Sequence, residues 1–316
     1  MNAKSSIKRL DVLWSLVLFV SLCGQGAFAA TYRLPVDGSH VAGKLQRHQV
    51  QAGETFALLA KEYDVGLLSL IAANRGVDPF LPDEGEVLTI PNRFILPSAK
   101  QEGIVVNLAE LRLYYYDPDG EHVHVFPVGI GRIGRETPQM VTSISAMIEA
   151  PTWTPPQSIR MAYEEDGIEL PDVVPAGPDN PLGEYAMRLR YGSGQYLIHG
   201  TNKDFGIGLR VSSGCIRMEP DDIQWLFERV GRGTRVQIVN QPIKMAVEPD
   251  SSVFIESHEP LTAKNGTKQT FDWPLELQIW LDSDQLANYS QTYSKVNGVI
   301  QIQTGMPIMV HDGSYD

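Results

Sequence analysis

Residues 196–218 read YLIHGTNKDFGIGLRVSSGCIRM, and this stretch decides what the rest of the chain must build. Apolar Tyr196 to Ile198 stop at His199-Gly200, and a second short run stops at Gly214-Cys215. A thiol needs a base before it can act as a nucleophile, because the thiolate is the reactive form. His199 lies sixteen residues before Cys215, so the two can face each other if their strands are neighbours. Gly214 permits close backbone approach, which would let amides near Cys215 cradle an oxyanion. Arg217 adds a positive charge that favours a thiolate or binds a substrate carboxylate. The bland alternative is an inert buried cysteine beside an unrelated histidine.

Outward from this stretch, residues 101–240 form the largest unit. Alternation in Gly103–Tyr116 and Val123–Val128 predicts strands joined at the turn Asp117-Pro118-Asp119-Gly120. Proline and glycine recur from Ala150 to Gly183, which predicts a long ordered loop rather than a helix. Further strands are expected at 185–189, 196–198 and 234–239, with the one clear helix at 221–230 behind Pro220. Upstream, residues 45–95 read β-α-α-β: Phe56, Leu59, Ala60 and Tyr63 share one helical face and Thr55 sits at the N-cap position. Residues 30–44 are a lead-in. Residues 241–316 start polar, and LELQIWL (275–281) and GVIQIQ (298–303) look strand-like, predicting a small β-rich appendage.

The 316 residues are 43% hydrophobic and carry a net charge of −12, enough apolar content for real cores and the wrong sign for a nucleic-acid binder. Lys4, Lys8 and Arg9 precede the apolar run Val12–Leu22, and Ala27-Phe28-Ala29 supplies a small-x-small cleavage pattern. Residues 1–29 are therefore expected to be a cleaved secretory signal, and the protein exported; an uncleaved anchor is the other reading. Cleavage would remove Cys23 and leave Cys215 as the one thiol, excluding an internal disulfide.

Two segments carry family resemblances. HQVQAGETFALLAKEYDVGLLSLIAANRGVDPFLPDEGEVLTIP (48–91) resembles a LysM domain, which implies binding to the glycan of peptidoglycan. The block IHGTNKDFGIGLRVSSGCIRM, with Thr137-Pro138, PTWTP (151–155) and NPLG (180–183), resembles the L,D-transpeptidase signature. That resemblance implies a mainly β, sandwich-like catalytic domain. It also implies that Cys215 is acylated, that His199 is its base, and that the Gly200 carbonyl orients the imidazole. The amides of Gly214 and Cys215 would form the oxyanion hole, with Arg217 nearby as a substrate-binding residue. Ser213 stands where many members have a second histidine. Trp153 is either a wall of the substrate cleft or a packing residue.

The implied reaction attacks the L-to-D bond after the third residue of a tetrapeptide stem, releases D-Ala and passes the acyl group to an amine. The acceptor is a lipoprotein lysine or a second stem's diaminopimelate, and no metal or cofactor is required. His122 and His124 share a strand face but read as surface residues rather than ligands. A hydrolase and a non-catalytic wall-binding protein are the competing readings. Three further expectations follow: a thiol pKa below that of free cysteine, acylation by carbapenems, and soluble turnover that survives removal of 45–95.

Overall fold

The computed structural model of the chain describes residues 30–203, 205–262, 266–267, 272–282 and 289–313; the expected leader lies outside them. The chain enters through β1 (Ala30–Arg33), β2 (Val41–Gly43) and β3 (Gln46–Gln49). It then forms α1 (Phe56–Glu62), α2 (Leu67–Ala73), β4 (Val87–Ile90) and β5 (Arg93–Ile95). Thr55 caps α1 through its hydroxyl, which accepts from the Leu58 amide at 3.3 Å. Phe56, Leu59, Leu70, Leu88 and Ile90 close a small core between the two helices and the β3–β4 pair.

The body follows as β6 (Gly103–Asn107), β7 (Arg112–Tyr116), β8 (His122–Pro127), β9 (Ile130–Gly131), β10 (Met140–Glu149) and α3 (Gln157–Glu165). It continues through β11 (Tyr185–Leu189), β12 (Leu197–His199), β13 (Arg210–Ser212), β14 (Ile216–Arg217), α4 (Pro220–Phe227) and β15 (Arg235–Val239). Eight of these strands, together with β1, make one mixed sheet in the order β1-β8-β7-β6-β15-β10-β11-β12-β14. A single apolar core draws Leu113 and Phe126 from one half of that sheet, Met187, Ile198 and Ile216 from the other, and Ile223 and Leu226 from α4. Tyr114, Val123 and Val125 bury the opposite face against Phe94 and Leu96.

Helix α3 corrects the expectation of a pure loop over 150–183. The prolines and glycine that suggest a loop are its boundaries: Pro156 precedes it and Gly167 follows with φ +75°, while Gln157–Glu165 contains neither residue type. His124 is a second correction. It is buried, with its ring 4.4 Å from that of Trp225, Nδ1 2.9 Å from Thr31 Oγ1 and Nε2 3.0 Å from Asp117 Oδ2.

The C-terminal unit is α+β rather than β-rich. Strands β16 (Ile243–Val247), β17 (Ser252–Ser257) and β18 (Ile308–Asp312) form an antiparallel sheet, covered by helices α5 (Leu275–Leu281) and α6 (Tyr289–Ile302). The alternation in LELQIWL also contains an i, i+4 pair, and that pair decides the period: Leu277 and Leu281 are buried while Leu275 and Ile279 are exposed. A buried ion cluster joins this unit to the main sheet. Lys244 lies 2.8 Å from Glu110 and 3.1 Å from Glu256, Arg112 lies 3.3 Å from Glu110, and His258 lies 2.6 Å from Glu256.

The 45–95 unit is also docked, not tethered. A Cβ on Gly208 would stand 2.6 Å from Gly66 Cα and 2.5 Å from Leu67 N, so the backbone entering α2 touches the segment that leads into β13. Deleting 45–95 would therefore remove a backbone contact from the segment that leads into β13.

Candidate active site

Strands β12 and β14 run side by side in parallel, with Ile198 opposite Ile216 and His199 opposite Arg217. Side chains alternate along a strand, so His199 and Arg217 share a face and Cys215 sits one diagonal step away. The adjacency that the sequence leaves conditional is present.

Cys215 is half-buried, and its Sγ donates to the Gln195 carbonyl at 3.6 Å. Burial pushes its pKa up; the Leu197 amide and the Arg217 charge pull the other way without cancelling that effect. The resting group is a neutral thiol, which corrects the expectation of a depressed thiol pKa. His199 is 3% exposed, and its Nδ1 lies 2.6 Å from the Gly200 carbonyl oxygen. A carbonyl only accepts, so Nδ1 carries the proton and Nε2 keeps a free lone pair. Burial, and secondarily the Arg217 charge, lowers the imidazole pKa to about 4, although the Gly200 and Leu182 carbonyls favour its charged form.

Paired hydroxyls fix the loop carrying Cys215. Ser212 Oγ donates to the Cys215 carbonyl at 2.5 Å and accepts from the Gly214 amide at 3.2 Å. Thr137 Oγ1 donates to the Gly214 carbonyl at 2.9 Å and accepts from the Gly131 amide at 3.0 Å. The Gly214 amide, expected in the anion cradle, is thus turned toward Ser212. Gly214 has φ +103°, and a Cβ there would meet Tyr196 Cε1 at 3.1 Å, so both conformation and space call for glycine. Ser213 is exposed at the loop's surface.

Arg217 holds its strand in place by exchanging backbone hydrogen bonds with Gly129 at 2.8 and 2.9 Å. Its guanidinium is half-buried, and Nε has no hydrogen-bond partner among the described residues. The charges of Cys215 and Tyr163, the latter on α3, bear on it. Trp153 exchanges backbone hydrogen bonds with Val174 at 2.9 and 2.8 Å, within the 150–183 segment rather than with the residues around Cys215.

That segment reaches the site through Asn180, whose role the sequence does not announce. Asn180 is fully buried; Nδ2 donates to the carbonyls of Pro151 at 2.7 Å and Pro175 at 3.1 Å, while Oδ1 accepts from the Leu182 amide at 2.9 Å. Leu182 then turns its carbonyl to the His199 ring. A signal existed: each proline deletes an amide donor, so a proline-rich segment has surplus carbonyls that a buried side-chain amide can satisfy.

The family model for the L,D-transpeptidase catalytic domain matches residues 101–238, and that for the L,D-transpeptidase C-terminal domain matches 242–310. The chain is 49% identical to the probable L,D-transpeptidase YcfS of Escherichia coli K12 over 90% of this chain and 89% of that one. It is 45% identical to the probable L,D-transpeptidase ErfK/SrfK of the same organism over 98% and 99%. Among solved structures, the catalytic domain of an Enterococcus faecium L,D-transpeptidase is 23% identical, with a TM-score of 0.33 over 45% of this chain and 99% of that one. With close relatives matched along nearly their whole length and both domain models satisfied, the chain belongs to the L,D-transpeptidase family.

Proposed function

We propose that this L,D-transpeptidase works through Cys215 as nucleophile and His199 as general base. The observation that supports the reading is the β12–β14 register, which pairs His199 with Arg217 two residues from Cys215, while the Gly200 carbonyl on Nδ1 leaves Nε2 as the imidazole's acceptor. Nε2 takes the thiol proton as Sγ attacks the carbonyl of the L-to-D bond following the third residue of a peptidoglycan stem. The developing oxyanion is received by the Cys215 amide, and Arg217 stabilises negative charge close by. His199 returns the proton to the departing D-Ala amine. An acceptor amine, a stem diaminopimelate or a lipoprotein lysine, then attacks the thioester and regenerates the thiol. The 45–95 unit, read as LysM-like, holds the enzyme on peptidoglycan glycan in the periplasm. No helix among the described residues is long and apolar enough to cross a membrane.

The test combines wall-digest mass spectrometry with a variant. Adding the protein to sacculi is expected to yield 3→3-linked dimers or a lipoprotein-linked muropeptide, and Cys215→Ala to yield neither while keeping its thermal midpoint. Product from a folded Cys215→Ala protein would refute the assignment. Tripeptide stems without any crosslink would point to water as the acceptor.

A further inference from the structure

Just beyond β14, three carboxylates converge where the end of α1, the edge strand β1 and the start of α4 meet. Asp64 follows the C-terminus of α1 in a left-handed conformation with φ +52°. Asp222 is 4% exposed on the first turn of α4, and Glu219 precedes that helix. Together with Lys61 and Pro127 they line a cavity of about 290 Å³. Asp222 Oδ2 is buried and has no hydrogen-bond partner among the described residues. No salt bridge reaches Asp64, Glu219 or Asp222 among those residues, although Lys61 acts on Glu219 from a distance. Buried carboxylates are ordinarily paired with a cation or protonated, and Asp222 has no paired cation among the described residues.

The nearest donor is the first residue of β1. The Ala30 backbone nitrogen donates to Asp64 Oδ2 at 3.2 Å, and Ala30 and Asp64 together line a second small cavity that continues to Pro127. In the full-length chain this nitrogen is a neutral amide with one proton to give. Ala30 is also the residue immediately after the small-x-small pattern Ala27-Phe28-Ala29. Hydrolysis of the Ala29–Ala30 bond adds water, leaves a carboxylate on Ala29 and frees an amine on Ala30. That amine is protonated at neutral pH and has three donors.

We propose that the α-ammonium created at Ala30 by leader removal is the missing cation, docking on Asp64 and reaching toward Asp222. Processing thereby locks the mature fold. The carboxylates are suited to receive it: burial, then mutual repulsion, raises Asp222 to about 9, and burial raises Asp64 to about 7, so both gain from a positive partner. The lock bears on the active site through α4. Ile223, adjacent to Asp222, packs in the catalytic core, and its Cγ2 lies 3.1 Å from where a Gly200 Cβ would stand.

The experiment needs no turnover, so its failure is distinct from failure of the catalytic reading. N-terminal sequencing of the exported protein is expected to begin at Ala30. A chain starting at Ala30 is then compared with one carrying Gly-Ser ahead of it, which displaces the ammonium. The extension is expected to lower the thermal midpoint by several degrees, and to have no effect in an Asp64→Asn background. Labelling of the Ala30 amine by acetic anhydride at pH 7 is expected to be at least ~10-fold slower than for an unfolded peptide, because a paired ammonium is a poor nucleophile. This measurement on the parent protein decides the matter if Asp64→Asn does not fold. Equal midpoints with Asp64 intact, labelling at the peptide rate, or a mature chain that begins elsewhere would each overturn the proposal.

Discussion

Replacing His199 with Gln separates the base from the shape it occupies. Glutamine can still donate to the Gly200 carbonyl in place of Nδ1, so the β12–β14 pair should persist. Acylation of Cys215 by a carbapenem should nonetheless slow by roughly 10²–10⁴-fold, the ordinary worth of a positioned general base. The burial that makes His199 a neutral base also leaves a thermodynamic mark. Its pKa falls from 6.5 to about 4 on folding, so between those values the unfolded chain binds a proton that the native state refuses. Stability is therefore lost as pH falls from about 6.5 toward 4, at about 1.4 kcal/mol per pH unit, reaching roughly 2.5 kcal/mol by pH 4.5. The Gln variant should lack this loss. Other titrating carboxylates, such as Asp64 and Glu110, are common to both proteins and cancel in the difference. The assay is the urea midpoint of both proteins at pH 7 and pH 4.5, beside intact-mass kinetics of the adduct. Equal losses of stability in the two proteins would show that His199 is not buried as a neutral ring, and the derived proton transfer would fall with it.

Three further outcomes are expected. Because burial raises the Cys215 pKa, iodoacetamide, which needs thiolate, should alkylate it more slowly at pH 7 than a free cysteine and keep accelerating beyond pH 8.5; a plateau below pH 8 would contradict this. Asn180→Leu leaves the Pro151 and Pro175 carbonyls and the Leu182 amide without their buried partner and should cost about 2–4 kcal/mol, seen as a lower thermal midpoint and slower acylation. Glu256→Gln removes one of two carboxylates that hold Lys244, Arg112 and His258 in the buried cluster, and should destabilise by about 3–5 kcal/mol in a denaturant melt.

What the sequence discloses depends on whether the information is local. Strand and turn patterns at 103–128 and the capped face of α1 are set by neighbours a few residues apart, and the structure repeats them nearly residue for residue. Residues His199 and Cys215 were legible because each ends an apolar run at a glycine, although only the sheet order makes them neighbours. Helices α3, α5 and α6, the last running through the strand-like GVIQIQ stretch, escape the sequence patterns for a different reason. Prolines and a glycine that bound a helix look the same as those that fill a loop, and L-x-L-x-I-x-L fits two periods at once. Only burial of Leu277 and Leu281 against Val253 and Val310 breaks that tie, and this is a tertiary fact. The direction of the thiol's pKa is tertiary too. Arg217 is visible two residues away, whereas the burial that outweighs it comes from distant strands.

The same distinction bears on why the proposed catalytic pair does not need an ion pair at rest. A thiolate–imidazolium pair would have to be held in a region that already disfavours both charges, with Arg217 opposing the imidazolium. Keeping both groups neutral avoids that cost until a substrate carbonyl arrives. In the proposed mechanism the proton then moves to Nε2 as negative charge passes from sulfur to the carbonyl oxygen. The charge then lies where the Cys215 amide and Arg217 can meet it. Such a site is least reactive toward small electrophiles that need a free thiolate and most reactive toward acyl donors that complete the geometry. Selectivity against adventitious oxidation or alkylation follows from the same burial that raises the thiol pKa.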